Sequence, residues 1–259
     1  MTGHPSAARR PETGASFQPS RLARFGRRDF GVVGALFLVV VLVIGFGLLA
    51  EEVMEGDTAR FDLAVITALR TPGNLADPLG PPWVEEMGRD VTALGSFTFL
   101  GFLFAATLGY LLLIRKRGLA LLVSAAILGG TLVSTLLKYG IDRPRPDFPH
   151  TARVFTPGFP SGHATLATIT FLTLGVLLTR VNIDRRVKVY FMSLAVFLTI
   201  IVGLSRMYLG VHYPSDVAAG WCVGSAWAVL CWTVAFWLQQ RGQVEGPGNY
   251  NAPSGLADG

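Results

Sequence analysis

From Phe30 to Ala50 the chain runs for 21 residues without a charged side chain. As a helix that run is about long enough to cross the ~30 Å hydrocarbon core of a bilayer. It constrains the fold more than any other feature, because in lipid the backbone must satisfy its own hydrogen bonds. Five further uncharged runs follow, at Ser96–Ile114, Gly118–Leu137, Ala164–Thr179, Val189–Ser205 and Val217–Leu238. The fourth and fifth of the six are short for a span and reach full length only if their polar flanks enter the interface. The composition agrees: 51% hydrophobic, 15% charged and a mean hydropathy of +0.48 exclude an ordinary soluble domain. The first run is too long for a secretory signal, and Glu51-Glu52 follow it with no cleavage context.

Six spans put both chain ends on one side. The arginines of residues 1–28, Arg115 to Arg117, the cluster from Arg180 to Lys188 and Arg241 share that side. Their excess marks it as the cytoplasm. The expected organisation is a disordered N-terminal tail (1–28), a six-helix membrane domain (29–240) and a disordered C-terminal tail (241–259). The net charge of +5 does not indicate nucleic acid, since the basic residues are scattered between apolar runs. Residues 51–94 read as an acidic outer loop. Phe61, Val65, Ile66 and Leu69 recur there at helical spacing, which predicts a short interfacial helix, with Trp83 as an anchor and loops at Pro72-Gly73 and Pro78 to Pro82. Cys222 and Cys231, nine apart on one helix, point to opposite faces and read as small buried hydrophobes.

Polar chemistry is confined to three clusters, at Lys138 to Pro146, Pro160 to His163 and Ser205 to Asp216. All fall at the outer ends of spans. They and the loop between the first two place Lys138, Arg143, Arg145, Arg153 and Arg206 on the side where cations are disfavoured, and an anionic ligand would account for them. Ser161 is suited to cap the fourth span, and Pro214 fits the first turn of the sixth. A helix start such as that at Ser161-Gly162 binds anions. His212 and Asp216 are four apart. The carboxylate can hold one imidazole nitrogen and leave the other free as a nucleophile. Lys138, Arg145 and Arg206 offer fixed charge to a phosphoryl group, and His163 is placed to protonate a leaving oxygen. Taken singly, these residues have plainer roles: Lys138 as a snorkelling lysine, Asp216 as a helix-start acid. His4 and His150 have no partner in sequence, Tyr208 and Tyr213 read as interfacial aromatics, and Gly129-Gly130 as close helix packing.

Together the clusters carry more. The pattern Lys138-x6-Arg145-Pro146, then Pro160-Ser161-Gly162-His163, then Ser205-Arg206-x5-His212-x3-Asp216 resembles the three-part signature of the type 2 phosphatidic acid phosphatase (PAP2) family. That family shares its site with bacterial acid phosphatases and vanadium haloperoxidases. The resemblance covers about residues 30–238 and implies an all-α, six-transmembrane-helix bundle, PAP2/haloperoxidase-like, with an outward-facing phosphatase site. It implies that His212 attacks phosphorus to form a phosphohistidine, Asp216 orients it, and His163 protonates the leaving group and activates water. Lys138, Arg145, Ser161, Gly162 and Arg206 would hold the phosphate. No metal or other cofactor is implied. Arg143, the first arginine of the Arg-Pro-Arg-Pro run, is expected to be an auxiliary phosphate or headgroup contact. The implied partners are a lipid phosphate or pyrophosphate (phosphatidic acid, phosphatidylglycerol phosphate, diacylglycerol pyrophosphate or undecaprenyl pyrophosphate) and membrane lipids. The implied location is the bacterial plasma membrane. A phosphotransferase using the same site, or a non-catalytic lipid-phosphate transporter or sensor, remain as other readings.

Overall fold

The computed structural model describes residues 27–148, 156–181 and 184–241. The N-terminal tail with His4, the His150 and Arg153 positions and the C-terminal tail after Arg241 lie outside the described residues. The long helices are α1 (Arg27–Glu55), α5 (Arg117–Ile141), α6 (Gly162–Val181), α7 (Arg185–Tyr208) and α8 (Pro214–Gln240). All five are long and apolar enough to cross a membrane. Each extends beyond the uncharged run that announced it. Polar flanks join the helix, so the two short runs become helices of 20 and 24 residues. The remaining run forms α4 (Phe97–Leu113), whose 17 residues rise about 25 Å, short of a full crossing by themselves. α3 (Pro82–Ala93) precedes it across a 43° bend, and the bent pair makes a sixth candidate span. Ser96 sits in the bend and caps α4, its hydroxyl accepting from the Phe99 amide at 3.1 Å.

The outer segment is more built than a loop. α2 (Ala59–Ala68) matches the helix expected from the Phe61 to Leu69 spacing, with Ile66 buried and Phe61 exposed. It is followed by a hairpin of β1 (Arg70–Thr71) and β2 (Asn74–Pro78), antiparallel, with Arg70 opposite Pro78. Pro72-Gly73 makes the turn, and Gly73 takes φ +84°, a conformation glycine adopts without cost. Arg70 is buried, stacks over Phe148 and donates to the Tyr208 carbonyl at 2.9 Å, pinning the hairpin to the end of α7. Trp83 is exposed, as an interfacial anchor would be.

α6 is the hub of the bundle. Leu166, Ala167, Ile169 and Phe171 pack with Leu100 of α4 and with Ala195 and Val202 of α7 in one cluster. On its other side α8 comes close through Gly220 and Gly224; a Cβ on Gly224 would lie 2.6 Å from Thr168 Cβ. Small residues four apart permit such an approach where apolar burial does not itself drive helix association. Gly129 and Gly130 of α5 likewise receive the ring of Trp227, whose indole N–H donates to the Ala126 carbonyl at 2.7 Å. Thr165 and Thr168, buried on α6, satisfy their hydroxyls on the carbonyls of Ser161 and Ala164. The helix starts are tied as well. The Ser161 amide donates to the Asp216 carbonyl at 2.9 Å, which registers the start of α6 against the start of α8.

Candidate active site

Alternating helix direction brings the C-terminal ends of α5 and α7 and the N-terminal ends of α6 and α8 to one face of the bundle. All eight residues singled out from sequence meet there. His212 is buried in the turn between α7 and α8. Its Nδ1 faces Asp216 Oδ2 at 3.3 Å, and its Nε2 faces Arg145 Nη1 at 2.9 Å. A guanidinium only donates, so Nε2 accepts and Nδ1 carries the proton. The lone pair of Nε2 therefore points at Arg145. Burial, and then the charges of Arg145 and Arg206 against the opposing pull of Asp216, push the His212 pKa down to about 3. The imidazole is neutral at physiological pH.

Asp216, in the first turn of α8, is fully buried and also accepts from the Tyr213 amide at 2.9 Å. Pro214 opens that helix, as expected. Arg145 is held in place by carbonyls: Nε donates to Thr156 O at 2.9 Å and Nη1 to Val211 O at 3.2 Å. Burial lowers its pKa from the ordinary arginine value, and Asp216 opposes that shift. Lys138, in the last turn of α5, donates to the carbonyls of Pro157 and Pro160 at 3.0 and 2.7 Å. Arg206, in the last turn of α7, donates to the Thr92 hydroxyl of α3 at 3.0 Å. Gly162 lies under the Lys138 side chain, where a Cβ would approach Lys138 Cε to 3.2 Å. His163 lies within electrostatic reach of Arg206, His212, Arg145 and Lys138.

Two buried polar atoms in this site lack partners: Ser161 Oγ and Arg206 Nε. Buried donors are nearly always satisfied, so both are available to a ligand; Arg70 Nε and Thr199 Oγ1, outside the site, are likewise unpartnered among the described residues. For Ser161 this corrects the sequence expectation. Its hydroxyl does not cap α6; the backbone carbonyl of Ser161 takes the Thr165 amide, and the side chain is left to the site. Arg145 thus meets the imidazole nitrogen directly, and two further cations, an unpartnered serine hydroxyl and a helix start lie in the same site. That arrangement suits a tetrahedral oxyanion with phosphorus near Nε2.

Arg143 also departs from expectation. It turns away from the cation cluster and bridges two carboxylates, Asp216 Oδ1 at 2.6 Å and Asp62 Oδ2 at 2.8 Å, with its guanidinium over the Tyr213 ring. Burial opposes its charge, but hydrogen bonds and charge from Asp62 and Asp216 outweigh that and raise its pKa. Sequence reasoning missed Asp62, which was one acid among nine in residues 51–94. The available signal was its spacing: it precedes Ile66 by four and so shares the buried face of α2. Thr92 and Ser215 carried no signal of their own.

The family comparisons agree with this geometry. Residues 117–240 match the PAP2 superfamily. The chain is 36% identical over 150 residues to decaprenylphosphoryl-5-phosphoribose phosphatase of Mycobacterium tuberculosis, covering 55% of this chain and 78% of that protein. It is 30% identical over 145 residues to phosphatidylglycerophosphatase B of Bacillus subtilis, covering 55% of this chain and 71% of that protein. The crystal structure of the transmembrane PAP2 type phosphatidylglycerolphosphate phosphatase from Bacillus subtilis superposes with a TM-score of 0.70 at 26% identity, over 79% of this chain and 97% of that one. With several apolar helices and such relatives, this is a multi-pass membrane protein, and the chain belongs to the PAP2 superfamily.

Proposed function

We propose that the protein is a membrane phosphatase that hydrolyses a phosphate or pyrophosphate carried on a lipid, without a metal, through a phosphohistidine on His212. The observation that carries this is the unpartnered pair Ser161 Oγ and Arg206 Nε, buried in the site of Lys138, Arg145 and the unprotonated Nε2 of His212. His212 Nε2 attacks phosphorus as the phosphorus–oxygen bond to the lipid breaks. His163 gives a proton to the departing oxygen. Water, losing a proton to His163, then attacks phosphorus; the phosphorus–nitrogen bond breaks and inorganic phosphate leaves. Asp216 holds Nδ1–H throughout and balances the charge His212 acquires. Lys138, Arg145, Arg206, Ser161 and the Gly162 amide bind the equatorial oxygens, where charge develops.

The site faces the extracytoplasmic side of a bacterial plasma membrane with both termini in the cytoplasm, in this reading. The support is charge: Arg115 to Arg117, Arg185, Arg186, Lys188 and Arg241 all cluster at the opposite end of the bundle. The test is phosphate release by detergent-solubilised protein in EDTA, from a panel of phosphatidate, phosphatidylglycerol phosphate and prenyl phosphates and pyrophosphates. Release from at least one is expected; no release from any would overturn the reading.

The lipid chain also has a place to lie. An apolar groove of about 210 Å³ runs between α1, α5 and α8, lined among others by Val43, Phe46, Val133, Leu137 and Ala226. Its upper end abuts the site: Leu137 precedes Lys138, and Phe46 stacks on Phe159, which precedes Pro160-Ser161. Val133→Trp fills the groove. Each displaced methylene is worth about 0.8 kcal/mol, so loss of two raises KM for a long-chain substrate roughly ten-fold. KM for a water-soluble short-chain substrate is expected to stay within about two-fold, and a parallel rise in both would remove the groove from the reading.

A further inference from the structure

Asp62 is a fully buried carboxylate on the outer helix α2. Oδ1 accepts from the Ser215 amide at 3.0 Å, and Oδ2 accepts from Ser215 Oγ at 2.5 Å and from Arg143 Nη2 at 2.8 Å. Arg143 Nη1 donates in turn to Ser215 Oγ at 2.7 Å and to Asp216 Oδ1 at 2.6 Å. Asp216 Oδ2 receives Nδ1–H of His212 and the Tyr213 amide. Both oxygens of Asp216 are therefore engaged, one by the arginine and one by the histidine. We propose that Asp62 and Arg143 form a clamp that sets both the orientation of Asp216 and the share of its charge available to His212, and that α2 is thereby part of the catalytic apparatus. This rests on His212 being the nucleophile of the phosphatase. Asp62 and Arg143 are positioning residues: neither lies among the groups that face Nε2.

The charge balance explains why the clamp needs both members. Arg143 alone against Asp216 would neutralise the carboxylate that His212 requires when it becomes cationic. Asp62 shares the guanidinium and restores net negative charge beneath the imidazole. The two carboxylates and one guanidinium together carry one negative charge, the complement of a single imidazolium. Desolvation offsets much of the attraction in a buried pair, and removing one partner leaves an uncompensated charge. The helix end adds a mechanical link: Asp62 grips the Ser215 amide, next to Asp216 in the first turn of α8.

Opposite signs distinguish the clamp from a merely structural network. The charged groups acting on His212 are Asp216 of α8, Arg145 of the segment after α5 and Arg206 of α7, with His163 of α6 near it and Lys138 of α5 beyond His163; Arg143 acts through Asp216, and Asp62 of α2 lies behind Arg143. Arg143→Gln removes a positive charge from Asp216, so His212 protonates at higher pH, by about one to two units. Adding Asp62→Asn to that variant removes a negative charge and brings the titration back down. Damage to packing would instead accumulate in the double variant.

The experiment uses the full chain in detergent with its histidines labelled at Cε1, the His212 signal being assigned by its loss in His212→Asn. The His212 titration and the kinetics of lipid phosphate hydrolysis are followed together in wild type, R143Q, R143K and D62N/R143Q. The expected result is an upward titration shift in R143Q that the double variant reverses. It is accompanied in R143Q by a fall in kcat of about 10–100-fold with KM within about three-fold. R143K keeps the charge and is expected to hold both the titration and KM near wild type. Where R143Q does not fold, R143K and the double variant carry the comparison. An unchanged titration, a double variant shifted further than R143Q, or a rise in KM for R143K or R143Q matching that of Arg145→Gln would overturn the clamp. A reversed titration shift in a protein inactive toward every lipid phosphate would support the clamp while removing the phosphatase reading.

Discussion

His212→Ala is expected to reduce phosphate release by at least about 10⁴-fold, the scale on which loss of a covalent nucleophile is felt, while leaving phosphate binding within a few-fold. The reason is geometric. The alanine variant retains Lys138, Arg145, Arg206 and the Ser161 hydroxyl, so the anion still has its cations. It lacks the one atom, Nε2, that would attack phosphorus and that Arg145 meets. Arg145 Nη1, which donates to Nε2 at 2.9 Å, loses that partner in the variant and can donate to the anion. Inorganic phosphate or vanadate inhibition therefore separates binding from chemistry. Rapid quench under alkaline conditions with labelled substrate tests the intermediate directly, since a phosphorus–nitrogen bond survives there: label is expected on the wild type and absent from the variant. Added imidazole enters the vacated space and is expected to restore part of the turnover as a free nucleophile. Release that persists unchanged without His212 would assign the chemistry to another residue. Label on the variant would do the same, with His163 the only other described histidine in the site.

The spans and the convergence of the eight candidate residues were legible because both follow from local patterns. An uncharged run of sufficient length has few structural options in lipid, and helix ends at one face place Lys138, Ser161, Arg206 and His212 together once their order is known. Three features were not legible, each for a physical reason. The role of Arg143 depends on a carboxylate 81 positions away; in sequence it differs from Arg145 only by register. Asp62 looked like its acidic neighbours, although it is buried and they are mostly exposed. The hairpin of β1 and β2 is too short for alternation to register, and its hold on the bundle comes from Arg70 reaching Tyr208. The free hydroxyl of Ser161 is the opposite case. Capping chemistry predicted a local partner, and the tertiary structure leaves that buried oxygen without one.

His163→Ala is expected to separate substrates by leaving group, with a fall of about 10²–10⁴-fold for an alkyl phosphate. His163 is the second residue of α6, beside Gly95, and its side chain makes no hydrogen bond among the described residues. It is free to meet a lipid oxygen that must leave as an alcohol. An alkoxide cannot depart unprotonated at neutral pH, so phosphorylation of His212 by a lipid substrate stalls in the variant. Nitrophenolate departs without a proton, so phosphorylation by nitrophenyl phosphate should slow by less than about ten-fold. Hydrolysis of the phosphohistidine still needs His163 to take a proton from water. The variant should thus release one nitrophenolate per site in a burst and then turn over slowly, with label retained on His212. Rapid-mixing absorbance gives the burst, and quenched labelling gives the retained phosphoryl group. Equal losses for alkyl and aryl substrates, with no burst, would place His163 among the binding groups and leave the departing oxygen to be protonated by Lys138, whose ammonium is the other proton-bearing group beside Gly162.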